Sequence, residues 1–234
     1  MPLVVKNLII INALFFLARF TLGQLFHYDL NETLGLYYFK SPEFSPYQII
    51  SYMFMHGGLS HIFFNMFALW MFGAQIENFW GPKRFLNYYL ITGFGAAFIH
   101  YLIIHFQVSG LESHFTEEQI SGIINSGTFD ATSPLFNKAR SLYSLHHTPV
   151  VGASGAVFGL LLAYGMTFPN QIIYLNLLFP IKAKYFVIIY GLLEFVMGVQ
   201  NTAGDNVAHF AHIGGMLFGF ILIKYWKKND LNFY

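Results

Sequence analysis

Cysteine is absent from the 234 residues, which excludes disulfides, thiolate chemistry and Cys-ligated zinc while leaving the redox compartment open. Charge is scarce too: Asp, Glu, Lys and Arg make up 10% of the chain, against roughly 25% in soluble domains. Lipid is therefore the main solvent. A net charge of +1 offers no broad basic surface to a phosphate backbone, so no nucleic-acid partner is expected. There is no HExxH helix, which leaves His56, His61, His209 and His212 a weak set of zinc ligands. An aspartyl mechanism needs two carboxylates sharing one site. Asp29 and Asp205 fall at the ends of apolar segments, where solvated turns account for them, and Glu194 is read as an acid bonding a neighbouring helix. No metal and no cofactor is expected.

What the chain does have is apolar length, with 56% hydrophobic and 20% aromatic residues. A crossing takes about 20 mostly apolar residues, and six segments qualify: 4–26, 50–79, 85–106, 151–169, 181–199 and 207–226. The first is read as a permanent span and not a cleaved leader, because no small-residue cleavage pattern follows it; Arg19 within it faces other helices or the interface. The second is too long for one straight crossing and bends around Gly57 and Gly58. Residues 107–148 are polar and form a solvated outer insertion, with short amphipathic helices. The reading is an all-α, polytopic bundle of six transmembrane helices in one domain over 1–234.

Charge sets the orientation. With the N-terminus inside, Lys6, Lys83, Arg84, Lys182, Lys184, Lys227 and Lys228 are inner, while Lys40, Lys138 and Arg140 are outer and outnumbered by acids. That satisfies the positive-inside rule and puts both termini in the cytoplasm, in what is read as a bacterial cytoplasmic membrane. Spans four and six then both run from outside to inside.

The reactive groups lie at the outer ends of those two spans. Residues 151–168 read VGASGAVFGLLLAYGMTF, a serine in a glycine cage at the head of an apolar helix. Gly155, Gly159 and Ala163 form one smooth stripe, and His212, Gly215 and Gly219 share a face of the last span. A serine hydroxyl needs a base to become a nucleophile, and His212 lies at the same depth as Ser154. The bland alternative is that both are packing motifs. A third cluster, His56, His61 and Asn65 in MHGGLSHIFFN, puts His61 and Asn65 one helical turn apart on one face. Two adjacent donors suit an oxyanion site; His56 is assigned the blander role of an interhelical hydrogen bond.

Taken together, the chain resembles the rhomboid intramembrane serine proteases. The matching residues are HGGLSHIFFN, Glu77 and Gly81 in FGAQIENFWG, Gly152 to Gly155 in GASG, and His212 with Gly215 in AHIGGMLFG. The resemblance implies a six-helix fold and a Ser and His dyad that cleaves transmembrane helices of other proteins near their outer ends. Ser154 is then nucleophile, and His212 general base and later acid. Gly152 shapes the loop before the nucleophile. His61, Asn65 and the Ser154 amide hold the oxyanion, and Phe158 is the ring that packs on the imidazole. Tyr47 and Gln48 stand where members of the family often carry Trp and Arg, which leaves the anchoring of the first outer loop open. His146 and His147, at the end of the insertion, are read as solvated loop residues. The alternatives are a catalytically inactive rhomboid-like protein that binds transmembrane helices, and a small transporter. Partners are transmembrane substrates and the bilayer; the oligomeric state is not fixed by the sequence.

Overall fold

The computed structural model describes residues 1–175, 179–200 and 208–229. The Asp205 turn and the first residue of the sixth expected span lie outside the described residues. The chain is mostly helical. Four helical stretches, Leu3–Phe26, Leu59–Trp80, Pro82–Glu112 and Ala183–Gln200, are long and apolar enough to cross a membrane, and Ser154–Thr167 is a shorter apolar helix.

Helix α1 (Leu3–Phe26) begins where Pro2 can lead a helix without a missing hydrogen bond. Its first turn is capped from far along the chain: Glu77 Oε1 accepts from Val4 N–H at 2.9 Å and Oε2 from Val5 N–H at 2.8 Å. A carboxylate there satisfies two orphan donors and complements the positive end of the helix dipole. The short helices α2 (Leu30–Leu34) and α3 (Gln48–Ser51) follow, then a 3-10 turn, and the chain breaks at Gly57 and Gly58 as expected. Helix α4 (Leu59–Ala68) runs through a π-helical turn at Leu69–Gly73 into α5 (Ala74–Trp80). Gly81, at φ 81°, ends α5, and Pro82 opens α6 (Pro82–Glu112), the expected order of a glycine after one helix and a proline at the start of the next.

Residues 107–148 hold short helices, as expected, but these bury a core of their own. Helix α6 extends to Glu112, α8 (Phe136–His147) packs on it, and α7 (Glu117–Ser126) packs on α8. Thr116 and Gln119 close a capping box on α7. Tyr38, Ile104, Val108, Ile123, Ala139 and Leu142 make a second buried cluster. The polar composition hid it because each short helix shows the core only one narrow stripe.

After α9 (Ser154–Thr167), an antiparallel pair β1 (Ile172–Leu175) and β2 (Phe179–Lys182) leads to α10 (Ala183–Gln200). This corrects the all-α expectation. Pro169 bars continuation of α9, and Ile172, Ile173 and Tyr174 favour extended backbone; Pro180 is tolerated because a two-stranded pair has only edges.

The last helix is α11 (His209–Asn229), and α6, α9 and α11 make up the most closely packed part of the fold. A side chain on Gly215 would overlap the Gly155 carbonyl oxygen, so the α9 and α11 backbones meet directly. Small residues permit such contact in lipid. Tyr88 of α6 donates its hydroxyl to the Gly159 carbonyl at 2.8 Å, tying the third helix to the pair.

Candidate active site

Ser154 is the first residue of α9, so its N–H belongs to the first turn, which has no intrahelical acceptors. The turn before it is set by Gly152. Its φ of 133° lies in the region that side-chain-bearing residues rarely adopt, and its N–H is held by the Tyr52 carbonyl at 2.9 Å.

His212 lies in the first turn of α11. Its Nε2 is 2.8 Å from Ser154 Oγ, and its Nδ1 is 2.8 Å from Glu194 Oε2 on α10. A carboxylate only accepts, so the proton of the neutral imidazole belongs on Nδ1, leaving the Nε2 lone pair aimed at the serine hydroxyl. Phe158, one turn along α9 from Ser154, stacks on the imidazole with centroids 4.2 Å apart and planes 8° from parallel. The close approach of α9 and α11 at Gly155 and Gly215 brings hydroxyl and imidazole to this separation.

His61, on α4, faces the same turn. Its Nδ1 accepts from Gly57 N–H at 3.3 Å, which leaves the ring proton on Nε2. A Cβ on Gly152 would lie 2.9 Å from His61 Nε2 and 3.5 Å from Ser154 Oγ; the imidazole donor and the hydroxyl thus border one small space that glycine keeps open. Asn65 follows one turn along α4, buried, and gives one amide hydrogen to the His61 carbonyl at 3.1 Å. The other amide hydrogen is not committed by that bond.

His56 departs from its expected role. It is buried, yet neither ring nitrogen makes a hydrogen bond among the described residues. Its ring stands edge-on to His61, centroids 5.0 Å apart, and its carbonyl accepts from Asn31 at 3.5 Å. It acts as a wall for His61, because the chain reverses at Gly57 and Gly58 and folds one histidine onto the other.

His146 and His147 also depart from expectation. They end α8: His146 is buried against Tyr38, and His147 bridges Glu43 Oε1 at 2.8 Å and the Ile124 carbonyl at 2.7 Å. Burial pushes the Glu43 carboxyl up, but hydrogen bonds from Ser41 and His147 outweigh it and hold the group below its usual range.

The loop between α1 and α4, whose anchoring the sequence left open, is held through Gln48. Gln48 Nε2 donates to the Thr33 and Glu43 carbonyls at 3.1 and 3.0 Å, and its Oε1 accepts from Ser45 N–H at 3.1 Å. Arg19, in turn, pairs with Asp29 at 2.8 and 3.0 Å, so Asp29 is not simply a solvated turn; the guanidinium hydrogen bond holds its carboxyl below its usual range.

The residue that sequence reasoning placed correctly but left out of the site is Glu194. Its Oε2 accepts from both His212 Nδ1 and His209 Nδ1, the latter at 2.7 Å. Only the three-residue interval between His209 and His212 hinted that one face of α11 presents two imidazoles to a single acid. Glu194, His209 and His212 are also the one group of three metal-type donors among the described residues, with ligand atoms within 4.8 Å of one another. That spacing is what two imidazoles sharing one carboxylate oxygen require, and the second nitrogen of His212 is directed at Ser154.

A hydroxyl, an imidazole and a carboxylate thus lie in sequence, beside a donor-lined space, within a mostly helical chain. The rhomboid-domain family model matches residues 43–228, and the chain belongs to the rhomboid family. It is 29% identical over 233 residues to RHOMBOID-like protein 12, mitochondrial, of Arabidopsis thaliana, covering 98% of this chain and 60% of that protein. It is 30% identical over 176 residues to Rhomboid protease GluP of Bacillus subtilis, covering 74% of this chain and 25% of that one. A mitochondrial presenilin-associated rhomboid-like protein of Pongo abelii is 25% identical over 194 residues, 76% of this chain and 38% of the relative. The chain thus spans between a quarter and three fifths of the length of these relatives.

Proposed function

We propose that this chain is an intramembrane serine protease that hydrolyses peptide bonds in or near transmembrane helices of other proteins. The observation that carries the reading is the 2.8 Å contact between Ser154 Oγ and His212 Nε2. Ser154 gives its proton to Nε2 as its oxygen attacks the scissile carbonyl. His212 then returns the proton to the leaving amine, and a water repeats the exchange on the acyl-enzyme. The oxyanion is met by the Ser154 amide at the helix N-terminus and by His61 Nε2–H, with Asn65 supplying its remaining amide hydrogen. None of these steps needs a metal, so chelators leave activity intact.

Six crossings are proposed, with α9 and α11 added to the four long apolar helices and the N-terminus on the side of Lys6, Lys83 and Arg84. The dyad then sits near the outer face. Because a regular helix shields its peptide bonds, the preferred substrates carry Gly or other helix breakers beside the cleaved bond.

Cleavage of a transmembrane substrate and labelling by a fluorophosphonate probe test the reading together. Wild type labels and cleaves; Ser154→Ala does neither, and His212→Ala loses turnover. A folded wild-type protein that neither labels nor cleaves, yet binds transmembrane segments, would make it an inactive helix-binding member of the family.

A further inference from the structure

We propose that Glu194 is a positioning residue for the reaction, extending the Ser154 and His212 pair to a three-membered chain whose carboxylate sets the tautomer and orientation of the imidazole. This inference rests on the serine-protease reading of the same site. Phe158 fixes the plane of the His212 ring by stacking but does not distinguish the two orientations related by a half-turn about Cβ–Cγ, which share that plane. The Nδ1–H bond to Glu194 Oε2 removes that ambiguity and selects the proton arrangement in which Nε2 can accept from Ser154. When the serine proton moves to Nε2, the ring becomes a cation, and the carboxylate already in contact at 2.8 Å offsets that charge in a setting with little water to do so.

His209 has a definite part in this. Its Nδ1 donates to the same oxygen at 2.7 Å, so Glu194 is held by one imidazole while it orients the other. The other imidazoles within electrostatic reach of His212 are His61 on α4 and His100 on α6; neither is an anion, which leaves Glu194 as the carboxylate in hydrogen-bond contact with the reacting pair. The side chain is largely shielded, with 12% of its surface exposed, although it comes from a helix whose other side chains mostly face outward. An acid on such a helix, turned inward onto two histidines, has a cost in lipid that a purely apolar contact would avoid.

Two variants separate the parts of the role. Glu194→Gln keeps an accepting oxygen and the side-chain shape but removes the charge; Glu194→Leu removes both. Glu194→Leu is expected to lower kcat on the order of 100-fold or more with KM little changed, the scale of a general acid and base that has lost its alignment. Glu194→Gln should fall between it and wild type. A structural role alone would lower the amount of folded enzyme and leave kcat per active site untouched, so active sites are counted by probe labelling.

The second measurement does not depend on activity. In protein with 15N-labelled histidine in detergent micelles, His212 is expected to show a protonated Nδ1 with a strongly downfield proton. That signal should move upfield in Glu194→Gln and disappear in Glu194→Leu. Wild-type kcat per active site in Glu194→Leu, or an unchanged His212 spectrum in both variants, would overturn the proposal. The expected spectra in a wild-type protein that cleaves nothing would sink the protease reading and leave the positioning geometry standing.

Discussion

The Phe158 ring lies flat on the His212 imidazole at 4.2 Å, on the same helix that carries Ser154 one turn earlier. The serine hydroxyl and the surface on which the imidazole rests are thus carried by one helix. Aromatic stacking contributes about 0.5 to 1.5 kcal/mol beyond buried area, so Phe158→Leu is expected to lower kcat about 2- to 13-fold. Phe158→Tyr should retain most of it. A rise in KM with kcat unchanged in Phe158→Leu would instead place the ring on the substrate path.

On the proposed mechanism the donors around the serine act on the transition state. Removing one oxyanion donor typically costs about 100- to 1,000-fold in turnover. His61→Ala is expected in that range, and Asn65→Ala below it because neighbouring donors cover part of the loss. The double variant should be far worse, in kcat and not in KM. If the pair raised only KM, the oxyanion assignment would fail.

Gly152→Ala tests the turn itself. A Cβ there would sit 2.9 Å from two atoms of the His61 ring, at a φ of 133°. The strain alone is about 1 to 3 kcal/mol, and the ring must give way. Thermal unfolding should shift down and turnover should fall together; a fully active, equally stable Gly152→Ala would contradict the geometry.

Glu77→Ala should destabilise without touching chemistry. Two backbone donors at the start of α1 lose their acceptors, costing about 1 to 3 kcal/mol. Thermal unfolding followed by circular dichroism checks the loss, and kcat per probe-labelled site should match wild type.

Acid should loosen the loop that follows α1 through Asp29. Its carboxyl lies below its ordinary 3.8 because Arg19 bonds it. A depressed carboxylate contributes stability above its unfolded value, and that contribution disappears as pH falls through the lower folded value. Wild type should therefore melt above Asp29→Asn near neutral pH, with the gap closing below about pH 3.8. The gap will be small because the side chain is 40% exposed. An equal gap at every pH would assign the difference to something other than this charge.

The parts of the fold legible in the sequence are those whose cause is local. Helical periodicity put small residues on the faces of α9 and α11 that meet, and a glycine pair marked the break before α4. Apolar length marked six segments, and four of them are helices long and apolar enough to cross a membrane. The contacts of Ser154, His212, Phe158 and His61 followed from placing those helices side by side. What stayed hidden depends on distant partners. Glu194 looks like any acid within an apolar helix until α11 delivers two imidazoles to it. His56 looks like an interhelical donor until the chain folds it onto His61. Gln48 anchors its loop by bonding to main chain, and a main-chain partner leaves no residue type to read.

Glu77 carries a consequence for how the protein can be divided. The rhomboid-domain match starts at residue 43, after α1 has ended. Yet the carboxylate that binds the first peptide groups of α1 belongs to the matched region, and Val5 and Leu8 are part of the main core. A fragment cut at the boundary of family similarity would leave that acid without two of its ligands and the core without one of its walls. The smallest piece able to stand alone therefore begins before residue 43, and the folding unit is wider than the span of the family model.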